Sequence, residues 1–150
     1  SSNRTLIETG ASDVVMKRRI EPTYSDYMGL VFEKVCRDYL TRKNPCGELP
    51  ILFTAIGRWW GTDPSKHEQV EIDLIANDSD EYMFCECKWR NEKLDLPVLK
   101  SLMYKADVFR KNRGRTWFVL FSKSGFTDAV IKEAAKNNDI LLVDLGKITE

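Results

Sequence analysis

The sequence has little of what marks several large protein classes. No apolar run approaches the roughly 20 residues that cross a bilayer, so the sequence predicts no membrane span. Four cysteines in 150 residues do not make a disulfide framework, and they favour a reduced, cytoplasmic setting. The phosphate-binding motif G-x-x-x-x-G-K-[ST] is absent, so any ATPase activity belongs to residues outside this chain.

Neither sign of charge is in excess, since lysine plus arginine and aspartate plus glutamate each total 23. The charges are nevertheless unevenly distributed along the chain. Seven acidic residues and one basic residue lie between Asp63 and Glu81, and nine basic residues and three acidic ones lie between Lys88 and Arg115. This asymmetry is compatible with adjoining cation and phosphate sites, and also with an ordinary mixed surface.

The length and composition indicate one globular domain. With 43% hydrophobic and 31% charged residues, the chain can bury a sizeable core and disorder is not indicated. The opening stretch "SSNRTLIETG" lacks an initiating methionine, from which we expect a larger parent protein. We assign residues 1–20 to a lead-in segment and residues 21–150 to the domain.

Apolar spacing and turn residues predict the order helix, three strands, helix, strand, helix, strand. In the first helix, "YSDYMGLVFEKVCRDYL", Ser25 or Asp26 is the expected N-cap. The second helix has Pro97 in its first turn, and Thr127 is the expected cap of the third. The expected apolar stripe of the first helix consists of Met28, Val31, Phe32, Val35 and Tyr39. This order predicts a mixed α/β sheet flanked by helices, in which the later strands lie parallel.

Charged residues are placed on two neighbouring strands, "VEIDLIA" and "EYMFCECKW", which the loop "NDSD" joins as an antiparallel hairpin. Alternation sends Ile72 and Leu74 to the face opposite Asp73, and it places Glu86 and Lys88 on one face. Antiparallel pairing then brings Asp73 and Glu86 within reach of one cation. Mg²⁺ suits this arrangement because it binds one or two carboxylates and retains several waters.

Two further groups are expected near this point. Lys88 projects toward the same place, where an ammonium can hold a water or offset charge on a phosphoryl oxygen. Glu33 lies beside the apolar stripe of the first helix, one turn after Gly29, and there it can face the ends of the central strands. Alternatively, Lys88 pairs with Glu86 or Glu71, and Glu33 pairs with Arg37 as an ordinary helix charge.

These motifs resemble those of the PD-(D/E)xK nuclease superfamily. The matching residues are G-x-x-x-E on the first helix (Gly29 and Glu33), Asp73 in "IDLIA", and Glu86 with Lys88 in "ECK". Within that superfamily, "IGRWWGTDPSKHEQVEIDLIA" followed by "FCECKW" resembles a C-terminal domain of archaeal-type P-loop ATPases, of the type named DUF234. The resemblance covers residues 20–145 and implies a restriction-endonuclease-like core.

The resemblance also implies roles for individual residues. Asp73, Glu86 and the backbone carbonyl of Cys87 would hold Mg²⁺ or Mn²⁺. Lys88 would be the catalytic lysine, and Glu33 would assist through water or a second metal. Lys100 and Tyr104 stand where the superfamily often has glutamine and tyrosine, so the glutamine is replaced here. The predicted contacts to nucleic acid are Lys100, Tyr104, Arg58 and Arg90.

Other residues have a functional and a structural interpretation. Trp59 and Trp60 would suit base stacking, but neighbouring strand residues face opposite ways, so at least one is expected in the core. Cys85 and Cys87 fall on the face opposite Glu86. A zinc site would also need Cys36, Cys46 or His67 at no recognisable spacing, so we favour small buried hydrophobic residues.

The sequence therefore supports two hypotheses about function. The first is a Mg²⁺-dependent domain that binds DNA and hydrolyses phosphodiesters, as an endo- or exodeoxyribonuclease. The second is a catalytically silent nuclease-like module that regulates, tethers to DNA or binds protein as part of a larger ATPase. Expected partners are DNA and an ATPase domain of the same parent chain, and a homodimer is plausible because related nucleases often cut two strands as a pair.

Overall fold

A computed structural model gives the fold and describes residues 23–150. The predicted lead-in, residues 1–20, lies outside the described residues. A short 3₁₀ helix, Asn44–Cys46, follows the first α-helix. The strands are β1 (Ala55–Asp63), β2 (Glu68–Asp78), β3 (Glu81–Lys88), β4 (Thr116–Ser122) and β5 (Ile140–Asp144). The α-helices are α1 (Tyr24–Lys43), α2 (Leu96–Phe109), α3 (Asp128–Lys136) and α4 (Leu145–Ile148).

The five strands of residues 23–150 form one mixed sheet in the order β1-β2-β3-β4-β5. The pairs β1/β2 and β2/β3 are antiparallel hairpins, whereas β3/β4 and β4/β5 are parallel and are connected through α2 and α3. The hairpin between β2 and β3 turns at Ser79, which has a positive φ of 53°. The predicted mixed sheet with parallel later strands is confirmed.

Each face of the sheet carries its own hydrophobic core. The core on the α1 side contains Phe32 and Leu40 of α1 packed on Met83, Cys85 and other strand residues. The core on the α2 side contains Leu99 and Leu102 of α2 packed on the opposite strand face. Residues on both faces of β3 and β4 are buried, as expected for strands that lie between two helical layers.

The N-cap of α1 is Thr23, two residues before Ser25 and three before Asp26, the predicted caps. The Thr23 hydroxyl accepts a hydrogen bond from the Asp26 amide at 3.1 Å, and the Asp26 carboxylate accepts one from the Thr23 amide at 3.2 Å. This reciprocal pair is a capping box, which satisfies two amides that have no partner within the helix. The prediction of Ser25 or Asp26 as N-cap is therefore wrong, and Asp26 is instead the third residue of the helix, where it completes the box.

The buried face of α1 is also rotated from the predicted stripe. Val31 and Val35 are exposed, so their place in the predicted stripe is wrong. The side chains that the sheet covers come from the adjoining face of the helix, and they are Phe32, Cys36, Tyr39 and Leu40. Glu33 lies beside this face and is therefore half-buried.

Strand β1 explains the paired tryptophans. Trp59 packs on the α2 side, where its ring meets Phe109 at 5.2 Å between centroids in an edge-to-face arrangement. Gly61 makes room for this ring, because a Cβ there would lie 2.5 Å from the Trp59 side chain. Trp60 is 62% exposed. The prediction that at least one tryptophan belongs to the core is confirmed.

The register between β1 and β2 changes in mid-strand. Gly57 pairs with Ile75, whereas Trp59 pairs with Ile72. Two residues of β2 therefore lie opposite Arg58 alone, which is the arrangement of a β-bulge.

The bulged residues are Asp73 and Leu74. Ile72 is buried in the core on the α2 side, whereas Leu74 is buried in the core on the α1 side. The prediction that Ile72 and Leu74 share a face is therefore wrong, because alternation does not continue across an inserted residue. The bulge places Asp73 at the point where the strand changes phase.

The N-termini of α2 and α3 share their capping groups. The Asp95 carboxylate accepts from the Leu96 amide at 2.8 Å and from the Thr127 hydroxyl at 2.9 Å. The Thr127 hydroxyl also accepts from the Val130 amide, so Thr127 caps α3 as predicted. Within residues 23–150, no helix is both long and apolar enough to cross a membrane.

Candidate active site

The strands β2 and β3 separate at one end of their hairpin. Their pairing runs from the turn to Leu74 and Cys85 and stops there. Beyond that point, the first half of β2 pairs with β1, and the last residues of β3 pair with β4. The sheet therefore opens into a fork, which we define as the gap between residues 71–73 of β2 and residues 86–88 of β3.

Asp73 lies in the fork and replaces a backbone partner. Its carboxylate oxygen Oδ2 accepts a hydrogen bond from the Cys87 amide at 2.9 Å. In an extended strand, the N–H and C=O of one residue point to the same side, so the Cys87 carbonyl is also directed toward β2. The side chain of Asp73 and the main chain of Cys87 thus face each other across the fork.

Glu86 is buried beside them. Its side chain is only 6% exposed, and its Oε1 lies 3.3 Å from the Lys88 ammonium and 4.0 Å from the Lys105 ammonium. Its other oxygen, Oε2, is buried without a hydrogen-bond partner among the described residues. Burial, followed by the nearby negative charge of Asp73, raises the pKa of Glu86 above its ordinary value of 4.5.

Glu33 approaches from α1. Both of its carboxylate oxygens accept hydrogen bonds from the Arg58 guanidinium, at 2.8 and 2.9 Å. Arg37 instead donates to the Ile56 carbonyl at 3.3 Å, so the alternative pairing of Glu33 with Arg37 is wrong. Burial and then the charge of Asp73 raise the pKa of Glu33, even though Arg58 opposes the shift. Asp73 therefore influences carboxylates that approach from both helical layers.

The donors in the fork fit a hard divalent cation. Two carboxylates, Asp73 and Glu86, adjoin one main-chain carbonyl, and Mg²⁺ accepts such oxygen ligands while it keeps waters. Within residues 23–150, no group of three or more His, Cys, Asp or Glu side chains could hold a metal, so solvent and main chain would complete the coordination. The buried, unpartnered Glu86 Oε2 is the oxygen that gains most from a cation.

The predicted nucleic-acid contacts are dispersed. Arg58 is engaged with Glu33, and Lys100 is exposed on α2. Arg90 is exposed immediately after β3, where its carbonyl accepts a hydrogen bond from the Ser124 hydroxyl.

Tyr104 contacts the hairpin between β1 and β2, and it lines a cleft together with Glu71, Ser101 and Lys105. Its hydroxyl donates to the buried Asp63 carboxylate, and the Lys66 ammonium lies 4.5 Å from the centre of its ring. The bond from Tyr104 lowers the pKa of Asp63, and the same bond raises the pKa of Tyr104. Tyr104 therefore fastens the hairpin to α2.

Sequence reasoning missed Ser101 and Lys105. These residues line a cavity of about 180 Å³ together with Glu86, Lys88, Pro97 and Val98. Ser101 and Lys105 have the same i, i+4 spacing as Lys100 and Tyr104 but are displaced by one position, which corresponds to a rotation of about 100° around the helix. The buried positions Leu102 and Ala106, which directly follow them, were the available signal.

Three of the four cysteines belong to the core. Cys36, Cys85 and Cys87 are buried, whereas Cys46 is exposed and donates to the Arg42 carbonyl at 3.6 Å. A hydrogen bond with Cys36 and burial raise the pKa of the Cys87 thiol. Cys85 and Cys87 lie on the α1 side, opposite Glu86, as predicted.

A protein family and a curated protein are similar to this chain in sequence. A family model, DUF234, described as "Archaea bacterial proteins of unknown function", matches residues 1–101. The uncharacterized protein MJECL04 of Methanocaldococcus jannaschii is 36% identical over 151 residues, which cover 95% of this chain and 30% of that protein. The chain thus spans about a third of the length of this curated relative.

Two solved structures are similar in fold. The crystal structure of AF1548, a protein of unknown function, matches with a TM-score of 0.43 at 19% identity, over 73% of this chain and 57% of that one. A repair endonuclease from Pyrococcus abyssi matches with a TM-score of 0.46 at 15% identity, over 75% of this chain and 46% of that one.

Proposed function

The chain belongs to the DUF234 family of proteins of unknown function, and from that premise we propose that it is a divalent-metal-dependent nuclease domain that hydrolyses phosphodiester bonds in DNA. The proposed site is the fork, with Asp73, Glu86 and the Cys87 carbonyl as ligands of Mg²⁺ or Mn²⁺. Glu33, Asp73, Glu86 and Lys88 are the proposed catalytic residues.

One observation carries this proposal. Glu86 is buried, and its Oε2 has no hydrogen-bond partner in the described chain, although the negative charge of Asp73 lies nearby. A buried carboxylate without a partner costs free energy, and a second acid beside it increases that cost. A bound cation removes both penalties, so a pair of acids that is unfavourable in the metal-free protein suits a metal site.

The proposed reaction is the attack of water on phosphorus. A bond forms from phosphorus to the water oxygen and the bond to the leaving sugar oxygen breaks. The water loses one proton and the sugar oxygen takes up one, so the step is balanced in protons. When bound, the divalent ion supplies Lewis-acid stabilisation of the phosphoryl oxygens. The Lys88 ammonium, which already lies at Glu86, orients the attacking water and offsets the growing negative charge.

Glu33 has a supporting place in this proposal. It is half-buried, its pKa is raised, and it lies on the α1 side of Asp73. Its bond to Arg58 holds the carboxylate in position, and from there it can accept a hydrogen bond from a water in the fork.

The test is metal-dependent cleavage by the purified chain of single-stranded, duplex and branched DNA. Asp73→Asn, Glu86→Gln and Lys88→Met should each lower the cleavage rate by about 100-fold or more. The matched controls are Glu92→Gln and Lys132→Gln, which change exposed residues outside the fork and should leave the rate unchanged. Cleavage that persists in all three fork variants, or the absence of cleavage on every substrate with either metal, would refute hydrolysis at this site.

A second candidate function is a silent nuclease-like module. The observation that favours it is that basic side chains already neutralise the acids, with Lys88 and Lys105 at Glu86 and Arg58 at Glu33. In that case the domain serves as a regulatory, DNA-tethering or protein-binding part of a longer chain, with an ATPase domain or a second copy of itself as proposed partner. DNA binding without cleavage, unaffected by Mg²⁺, would favour this candidate.

A further inference from the structure

A second cavity lies on the α1 side of the sheet, immediately beyond the fork. It has a volume of about 190 Å³ and is lined by Tyr24, Ser25, Trp89, Arg90, Asn91 and Lys123. We call it the Trp89 cavity. It adjoins the proposed site, because Trp89 follows Lys88 in the chain and the Lys123 amide donates to the Lys88 carbonyl at 3.0 Å.

The walls of the Trp89 cavity are aromatic and held in place. The Trp89 ring packs against Phe32 of α1, with 5.4 Å between centroids, which fixes the orientation of the indole. Tyr24 also lines the cavity and is 79% exposed. Its ring therefore offers a free face on which a planar ring can stack, whereas Trp89 is covered by Phe32 and Lys123.

The same cavity is positively charged. The Lys123 ammonium lies 4.6 Å from the centre of the Trp89 ring and donates to the Asn91 side-chain carbonyl at 3.0 Å. Within residues 23–150, neither Lys123 nor Arg90 forms an ion pair with a carboxylate. Both cations are therefore available to an anion, and an aromatic wall with unneutralised cations is the usual chemistry for binding single-stranded nucleic acid.

We propose that the Trp89 cavity is a nucleotide subsite that receives one unpaired base of a DNA strand, stacked on the exposed ring of Tyr24, with a flanking phosphate held by Arg90 and by Lys123, which lies over the Trp89 ring. The volume of about 190 Å³ accommodates one base. The inference rests on the proposed function, since it places the base close to the phosphate that the fork would cleave. It adds that the substrate strand is unpaired at this position.

The experiment measures binding separately from cleavage. The whole chain is titrated, in EDTA, against a fluorescently labelled oligothymidylate of about 12 nucleotides, within the usual site sizes of a binding domain. The salt concentration is varied, and the affinity is read from fluorescence anisotropy. The variants are Lys123→Gln, which removes a cation, and Tyr24→Ala, which removes an exposed ring without disturbing the core.

We expect each of these variants to bind roughly three- to tenfold more weakly than the wild type. Lys123→Gln should also reduce the slope of log K against log salt by about 0.7, the loss of one phosphate contact on a single strand. Lys132→Gln, which changes an exposed lysine of α3, is the matched control and should alter neither quantity. Wild-type binding by both cavity variants, or no binding by the wild type, would overturn the subsite.

Two further arms separate this inference from the proposed function. Asp73→Asn should abolish cleavage but bind the oligonucleotide normally. If the chain cleaves DNA but Lys123→Gln binds as well as the wild type, the subsite is refuted and hydrolysis is not. If Lys123→Gln weakens binding but no cleavage is seen, hydrolysis is refuted and the subsite is not. Inorganic phosphate and thymidine monophosphate are also tested as competitors of the oligonucleotide. Equal competition by the two would overturn the base pocket, because the base would then contribute nothing to binding.

Discussion

Glu86 is a single residue whose ionised side chain is in an unfavourable environment when no cation is bound. Among residues 23–150 its Oε2 is a buried side-chain oxygen with no partner, while Oε1 faces two lysines. Burial and the charge of Asp73 raise its pKa in the folded protein. A raised pKa in an acid means that folding favours the protonated form, which links the stability of the protein to pH.

This linkage gives a prediction for the metal-free protein. The stabilising contribution of Glu86 is fully present below its ordinary pKa of 4.5 and is lost as the pH rises through the raised value. Glutamine imitates the protonated form, so Glu86→Gln should be more stable than the wild type at neutral pH, by on the order of 1 kcal/mol. The difference should shrink as the pH falls to 4.5. Urea unfolding in EDTA across this range measures it.

The control for this measurement is Glu92→Gln, because Glu92 is exposed. Its unfolding free energy should follow that of the wild type at every pH. Variant and wild type must be compared at the same pH, because Asp63 also changes the stability with pH. The pKa of Asp63 is lowered, so the stability that it contributes is present above its ordinary pKa of 3.8 and is lost as the pH falls. Equal stability of Glu86→Gln and wild type at all pH values would contradict the prediction.

The residues of the fork itself could be found from sequence, whereas their neighbours could not. Asp73, Glu86 and Lys88 lie on two strands that a short polar loop joins, so their approach follows from local rules. Lys105 comes from α2, and its place beside Glu86 depends on how that helix is rotated against the sheet. Helical periodicity fixes the buried stripe, but tertiary packing decides which of its two flanks meets the site.

At the scale of elements, the shared caps of α2 and α3 connect two helices through one carboxylate. Asp95 accepts hydrogen bonds from the first amide of its own helix and from the Thr127 hydroxyl that caps the next. Asp95→Ala should therefore destabilise the protein by about 1–2 kcal/mol, toward the upper end for an N-cap, because both helix ends lose a partner. Chemical unfolding measures the change.

Two controls show whether the caps are coupled. Glu92→Ala removes an exposed carboxylate from the same loop and should cost less than about 0.5 kcal/mol. In a double-mutant cycle, Thr127→Ala should cost less in the Asp95→Ala background than in the wild type, by about 0.5 kcal/mol or more. Strict additivity of the two substitutions would refute the shared cap.

The elements themselves were largely predictable, and the errors have identifiable causes. Within residues 23–150, the three long helices and the five strands follow from apolar spacing. The cap of α1 was misplaced because Thr23, Ser25 and Asp26 are all acceptable caps, and only the reciprocal bond distinguishes them. The bulge in β2 could not be predicted, because its cause is the register against β1 and not the composition of β2.

At the scale of the whole molecule, the uneven distribution of charge along the chain can be related to the fold. Part of the acidic stretch lies on the hairpin between β1 and β2, and part of the basic stretch lies on α2. A cleft of about 400 Å³ beside the fork is lined by Asp63, Glu68 and Glu71 from the first and by Lys105 from the second. Three acidic residues therefore face one lysine of α2 across this cleft.

A bound divalent cation should stabilise the entire domain. A ligand at 100 times its Kd adds about 2.7 kcal/mol to the unfolding free energy of a single-site protein. For a domain of this size, that corresponds to a rise in Tm of roughly 5–10 °C. Differential scanning calorimetry with Mg²⁺ or Mn²⁺ against EDTA measures the rise, and the stabilisation should increase with pH as the raised pKa of Glu86 is passed.

The comparison is with Asp73→Asn and with Lys88→Met. The first variant loses a proposed ligand and should show no rise in Tm at the same metal concentration. The second keeps the oxygen ligands and should show the rise in full. An equal rise in wild type and Asp73→Asn would place the metal elsewhere on the protein.

The bulge at Asp73 and Leu74 also determines how β2 should be mutagenised. Because the strand changes phase there, the positions that face α1 and those that face α2 must be assigned separately for residues 68–72 and for residues 74–78. A combinatorial library built on a single odd–even rule would assign the side chains of one segment to the wrong core. Likewise, a one-residue gap placed in this strand when related chains are aligned would exchange the two faces on one side of the bulge only.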